Sequence, residues 1–328
     1  MKQMTLREVE TSKDISYSKS VLNRLMYLLS RSSVLPILIP LWILFAFLAP
    51  SFATLRNART MLAATAVAAV AAIGETLILI TGGIDLSVAT VVACSAVLAS
   101  KVMEAESNTL IGLMVALGIG LGFGLINGFT VAKLGLTPFV LTLGTNLIAR
   151  GIAFSVSKGY AIRAPLALRQ FGRMNWLGLP IIVVITLIML VIFELLLSKT
   201  TWGRYVYFLG ANKEAARYVG INYGLVGASV YIIAGVLCGL AGYLSVISLG
   251  AAIPGVGDTI LLTIIGGVIL GGTSLFGGVG SVWRTALGVL LLATLTNGLN
   301  LLGFGFYDQL IAQGIVIVLG TGLALRFR

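Results

Sequence analysis

Between residues 82 and 87 the chain reads Gly-Gly-Ile-Asp-Leu-Ser, a polar, glycine-kinked interruption set between two apolar runs. Met61 to Thr81 before it is nearly all Ala, Val, Ile and Leu, and Val88 to Ala99 after it is equally apolar. In a chain that is 58% hydrophobic and 10% charged, such runs would give a water-soluble domain large exposed apolar patches. Lipid is the expected solvent. There, unpaired backbone polar groups are costly, so an interruption persists only inside protein or beside water. The Asp85 carboxylate adds about 2.5–3.5 kcal/mol at a helix centre and less near an interface. Broken helices of this kind often line the substrate path of transporters. The same residues also suit a tight interfacial turn with Asp85 capping the next helix, and both readings stay open at this point.

A helix crossing the bilayer needs about 20 mostly apolar residues. Ten segments approach that length, near 34–53, 60–81, 85–103, 109–132, 138–157, 176–197, 223–248, 259–274, 281–303 and 308–326. The expected fold is therefore an all-α integral membrane protein of about ten transmembrane helices. The eighth segment is short and glycine-rich, which marks it as broken or re-entrant. Gly120, Gly124 and Gly128 form a GxxxGxxxG stripe, and Gly118 with Gly122 a second; both predict close helix contacts.

Orientation follows from Lys and Arg. With both termini inside, the cytosolic side collects fourteen basic residues and the outer side seven, while Arg150 falls within a span. The outer loop over 158–175 is basic and runs against this N-in/C-in assignment. Residues 1–33 are polar and mixed in charge and end in no cleavage signature, so they read as a cytosolic tail rather than a signal peptide. An amphipathic helix is expected over Lys19 to Leu29. Residues 34–328 then form the membrane domain. Its net charge of +11 is scattered rather than gathered on one face, unlike a nucleic-acid footprint.

The loop over 198–222 carries a helix of about two turns. Asn212 suits its N-cap, Glu214 the positive end of its dipole, and Gly220 a C′ stop. Two turns are unstable alone in water, so a helix with Ala215, Ala216 and Arg217 at its centre is expected to dock, either on a partner or on its own chain.

The chain has no histidine, which removes the commonest general acid–base and metal-ligand residue. It has no phosphate loop, no HExxH, no GxSxG and no Cys/His metal spacing. No catalytic residue, metal or cofactor is assigned. The polar groups within spans are sparse: Thr81, Asn127, Thr142, Asn146, Thr273, Asn297 and Asn300. Amides and hydroxyls hydrogen-bond a neutral, hydroxyl-rich solute without a demand for charge neutralisation; equally, they join helices to one another. Glu75 and Arg150 lie well inside apolar runs, where a charge is a functional candidate by default. Arg150 suits a structural pair with Glu75 or Asp85. The candidates for a translocation path or gate are Glu75, Gly82, Gly83, Asp85, Asn127, Asn146, Gly271, Gly272, Thr273, Asn297 and Asn300. The last group includes a faint internal echo, in which Gly82-Gly83 followed by Leu86 matches Gly271-Gly272 followed by Leu275. Glycine-broken segments in both halves point to a transporter's site.

The order of these blocks resembles the membrane permease subunits of bacterial ABC importers for monosaccharides of the ribose, xylose, arabinose and galactose type. Thr81 to Val88 is similar to that family's signature after its second helix. Asn127-Gly128, Pro138-Phe139, Thr142-Leu143-Gly144 and Arg150-Gly151 resemble its central segment. Gly210 to Ile221 resembles its cytosolic coupling loop, and Gly271 to Gly278 with Asn297 to Gly303 its C-terminal third. Ala89, Glu75 and the Asp258 to Ile265 segment depart from the pattern. The resemblance implies an inner-membrane subunit that pairs with a second permease copy or a sibling. It also implies a separate cytosolic ATP-binding subunit and an extracytoplasmic solute-binding protein. An ion-driven secondary transporter or channel is the alternative that the intramembrane charges leave open.

Overall fold

The structure is a computed structural model and describes residues 34–106 and 108–326; the expected tail and its amphipathic helix lie outside them. Among the described residues the chain forms thirteen helices and four two-residue strands. They are α1 (Leu35–Leu48), α2 (Leu55–Ile80), α3 (Val88–Glu106), α4 (Thr109–Ala132), α5 (Pro138–Ser157), β1 (Ile162–Arg163), α6 (Leu166–Gly172), β2 (Asn175–Trp176), β3 (Leu179–Pro180), α7 (Ile181–Lys199), α8 (Thr201–Ala211), α9 (Lys213–Tyr218), α10 (Tyr223–Leu249), β4 (Ala251–Ala252), α11 (Val256–Leu270), α12 (Val282–Leu301) and α13 (Phe306–Arg326). Seven of these, α2, α3, α4, α5, α7, α10 and α12, are long and apolar enough to cross a membrane. Shorter apolar helices occupy Leu35–Leu48, Val256–Leu270 and Phe306–Gly322. The protein is thus a multi-pass helical membrane protein.

Local chemistry sets the boundaries. Asn108 caps α4 by accepting the Leu110 and Ile111 N–H groups at 2.9 and 3.3 Å, and Pro138 opens α5, where its missing N–H is not needed. Asn222 caps α10 through the Leu225 N–H at 3.0 Å. The sixth expected segment starts late: residues 175–180 form a hairpin in which Trp176 pairs with Leu179. Its two-residue turn, Leu177-Gly178, has positive φ at both positions, as a primed turn requires. A run of apolar residues hid that turn.

The core is organised around α2, buried at every residue from Thr65 to Ile80. Being buried on all sides, it has no polar face; its small residues let neighbours close in, and a Cβ at Gly74 would lie 2.8 Å from Ala234 Cα on α10. The first glycine stripe packs as expected. A Cβ at Gly124 would approach the Tyr231 carbonyl oxygen to 2.7 Å, and one at Gly128 the Ala228 oxygen to 2.8 Å. The second stripe does not: a Cβ at Gly118 or Gly122 would meet nothing within 4 Å among the described residues. At the end where α10 finishes, β1 pairs antiparallel with β4, next to α6 and the hairpin. At the other end of α10 lie α8 and α9, about 40 Å away along a helix of 27 residues.

Candidate functional site

The interruption after α2 is a fully built turn. The helix ends in a left-handed C′ glycine, Gly82 at φ +77°, with the Gly82 N–H on the Leu79 carbonyl at 2.9 Å and the Gly83 N–H on the Ile78 carbonyl at 3.1 Å, the Schellman pattern. Asp85 Oδ1 then accepts the Ser87 N–H at 2.7 Å and the Ser87 hydroxyl, which caps α3. Neighbouring helices satisfy the rest of the turn. Asn127 of α4 donates to Asp85 Oδ2 at 3.3 Å and to Ser87 Oγ at 3.1 Å. On α5, Thr142 Oγ1 accepts the Leu86 N–H at 3.1 Å, and Asn146 donates to the Leu86 carbonyl at 2.6 Å. From α2, Glu75 Oε1 accepts the Asp85 N–H at 3.2 Å.

Glu75 is completely buried, Asp85 is 6% exposed, Asn127 and Thr142 are buried, and Asn146 is half-buried. Neither carboxylate has a basic partner among the described residues. Glu75 Oε2, Asn127 Oδ1 and Tyr231 Oη, all buried, have no hydrogen-bond partner among the described residues. The turn brings Glu75, Gly82, Gly83, Asp85, Asn127 and Asn146 into one cluster, with Asp85 bonded to the start of α3.

The second interruption, after α11, repeats the first. Gly272 is left-handed at φ +83°, its N–H meets the Ile269 carbonyl at 2.9 Å, and the Thr273 N–H meets the Val268 carbonyl at 3.2 Å. The echo is therefore structural, but its register is shifted by one residue from the sequence match: Gly82 corresponds to Gly272, not Gly271. Gly271 instead packs on α12, where a Cβ would sit 2.6 Å from the Arg284 carbonyl oxygen. The Thr273 hydroxyl is buried without a partner among the described residues.

The two interruptions touch. The Gly278 N–H donates to the Ile80 carbonyl at 2.8 Å, satisfying one of the carbonyls orphaned at the end of α2. Gly210, at the end of α8, lies against both: a Cβ there would overlap the Ile80 carbonyl and stand 2.6 Å from Gly278 N. One turn earlier the Tyr207 hydroxyl donates to the Gly280 carbonyl at 2.9 Å. Burial first, and then the nearby Glu194 carboxylate, push the Tyr207 phenol above its ordinary pKa, so it remains a donor at physiological pH. Glu194 Oε2 itself caps α12, accepting the Val282 and Trp283 N–H groups at 3.0 and 3.3 Å.

The short helix of the 198–222 loop forms as α9, capped by Asn212 Oδ1 on the Ala215 N–H at 2.9 Å and followed by Gly220 at φ +79°. Ala216 is its buried contact, while Glu214, Arg217 and Tyr218 stand free, Tyr218 at 91% exposure. The sequence reading missed α8, although Val206 and Leu209 are its buried face and Thr200 is a plain cap on the Gly203 N–H.

Other expected residues lie elsewhere. Arg150 pairs with Asp258 at 2.9 Å, with about half of each side chain exposed; the expected partners Glu75 and Asp85 are not in reach of a salt bridge. Asn297 exchanges two hydrogen bonds with Asn57, at 2.9 and 3.0 Å, a reciprocal amide pair that joins α12 to α2. Asn300 is exposed. No signal in the sequence marks Asn57 or Asp258 as partners, since each lies far along the chain from the group it meets.

Paired glycine breaks on a helical membrane bundle meet the short helices α8 and α9. The family described as "Branched-chain amino acid transport system / permease component" matches residues 57–320. The chain belongs to this permease family. It is 37% identical over 301 residues to the ribose import permease of Escherichia coli K12, covering 90% of this chain and 93% of that one. It is 36% identical to the ribose import permease of Bacillus subtilis 168 (85% and 88% covered) and 33% identical to the L-arabinose transport permease of Escherichia coli K12 (85% and 85%). No solved structure matches the chain. Within the family match lie both breaks, α8 and α9.

Proposed function

We propose that the chain is the membrane permease subunit of an ATP-driven importer that carries a monosaccharide or sugar-like solute across the inner membrane. The observation that carries this reading is near-full-length similarity to permeases named for ribose, allose and arabinose. In this reading all ten apolar segments cross or enter the bilayer, with α11 entering only part-way, and both termini face the cytosol. Residues 1–33 form a cytosolic tail ahead of the membrane domain. α9 then stands in the cytosol, where Glu214, Arg217 and Tyr218 present a polar and aromatic surface to an ATP-binding subunit. At the opposite end, exposed Arg56, Lys158, Arg163 and Arg173 give a cationic face that suits an acidic extracytoplasmic binding protein. The energy enters through the partner, and a second permease copy or sibling completes the path. Asn300, which is exposed, and Asn146, half-buried on α5, are assigned to the solute. Glu75, Gly82, Gly83, Asp85, Asn127, Gly271, Gly272, Thr273 and Asn297 are assigned to holding the gate helices.

The buried Glu75–Asp85 pair favours one competing reading, an ion-driven transporter. Purification of the tagged chain in mild detergent, with mass spectrometry of what accompanies it, separates the two. Recovery of an ATPase subunit and a binding protein is the expected result. Recovery of the chain alone, with gradient-driven uptake in liposomes, refutes the importer. In the recovered complex, Glu214→Arg with Ala215→Asp should abolish uptake while the fold survives.

A further inference from the structure

α9 rests on α8 and on the first turn of α10, and α8 packs on α7, α10 and the end of α2. Displacement of α9 therefore reaches α8, its larger contact, as well as the start of α10. In the last turn of α8, where it leads into α9, the contacts change character. Side chains adjust to a shift of a few tenths of an ångström by changing rotamer, so a side-chain interface absorbs part of any movement. Gly210 leaves no such layer, because its backbone meets the backbone of Ile80 on one side and of Gly277 and Gly278 on the other. A Cβ at Gly277 would stand 2.7 Å from the Gly210 carbonyl oxygen and 3.0 Å from Gly82 N. Three segments thus meet backbone to backbone: the end of α8, the first break and the second break. Close-packed contacts of this kind pass on displacement rather than deform. The Gly278–Ile80 hydrogen bond ties the two breaks to each other, and the Tyr207–Gly280 bond ties α8 to the segment leading into α12.

We propose that Tyr207 and Gly210 make α8 a relay, through which displacement of α9 enters both glycine breaks together and moves α2 and α12 as a pair. The proposal rests on the permease reading and names positioning residues, which touch neither solute nor nucleotide. The Ile80 carbonyl is the moving point. When α8 shifts, the Ile80–Gly278 bond carries the shift across, so that the end of α2 and the segment leading into α12 move as one event rather than two. Replacing Gly210 by Ala forces α8 off the junction and inserts a compressible group where none exists.

The test uses the whole importer, the chain with its ATPase and binding protein, in liposomes with labelled ribose, allose and arabinose as probes. Sugar imported per ATP hydrolysed is the readout, because a purely structural role would change assembly without changing that ratio. Gly210→Ala should keep ATP hydrolysis while the ratio falls by about tenfold, within the range usual for coupling between sites. Tyr207→Phe, which removes a single hydroxyl, should assemble normally and lower the ratio by roughly fivefold. A wild-type ratio in both variants, or equal loss of hydrolysis and import in Gly210→Ala, overturns the relay and leaves the permease reading intact. If Gly210→Ala fails to assemble, Tyr207→Phe decides alone. ATP-independent uptake by the wild type removes the permease reading, and the relay falls with it.

Discussion

Asp85→Ala separates a cap from a path residue. In the wild type, Asp85 Oδ1 takes the Ser87 N–H and hydroxyl, and Oδ2 takes the Asn127 amide. Truncation removes an N-cap, about 1 kcal/mol in most helices. It also strips a buried donor of one acceptor, about 1–3 kcal/mol. Asn127 keeps its 3.1 Å bond to Ser87 Oγ, which places the second cost at the low end. The sum is about 2–3 kcal/mol, a loss of roughly 30- to 140-fold in the folded-to-unfolded ratio. One effect opposes it: the Glu75 carboxyl lies against the Asp85 backbone, and two ionised carboxylates here repel. Asp85→Asn isolates that effect, since it drops the charge and keeps the Oδ1 acceptor, while Asn127 Oδ1, unpartnered among the described residues, can turn to accept from the new amide; it should stay within about 1 kcal/mol of the wild type. The assay is unfolding of the purified chain in detergent, beside import measured at equal amounts of assembled complex. The cap predicts that stability and import fall in parallel in the Ala variant and recover in parallel in Asn. An Ala variant as stable as the wild type but dead in transport would refute the argument and return Asp85 to the path.

Two further outcomes follow from the packing. Gly235→Val should cost about 1–3 kcal/mol or more by overpacking, because a Cβ there would lie 2.8 Å from Gly124 Cα; Gly122→Ala, with open space around it, should stay within about 0.5 kcal/mol, both read from thermal melts. In a double-mutant cycle, Asn57→Leu and Asn297→Leu should each cost more alone than the second costs after the first, with a coupling of about 0.6–1.7 kcal/mol; strict additivity would show that the amide pair does no work.

The sequence carried what depends on period and local chemistry. Apolar length located the helices, and the cap at Asn212 with the stop at Gly220 placed α9. The Gly82-Gly83 kink was legible because a left-handed C′ residue needs glycine. The echo was legible too, but by spelling alone its register came out one residue wrong, since only the backbone reveals which glycine turns the chain. Partners were out of reach. Arg150 meets Asp258 across 108 residues, and Asn297 meets Asn57 across 240; nothing in a linear pattern links such positions. α8 was missed for a different reason: an amphipathic helix that stops at a glycine-containing junction looks like loop when spans are sought by apolar length.

The burial of α2 sets a schedule for biogenesis. This helix is made early, yet its neighbours come late: Gly74 packs on Ala234, and Thr76 bonds to Thr285, 209 residues further on. At a synthesis rate of about 5–20 residues per second, α2 and the Glu75 carboxyl at its centre wait about 10–40 s for Thr285. Order of emergence and order of packing run in opposite directions in this bundle. The ribosome therefore delivers to the membrane, first, a helix whose shelter is still untranslated.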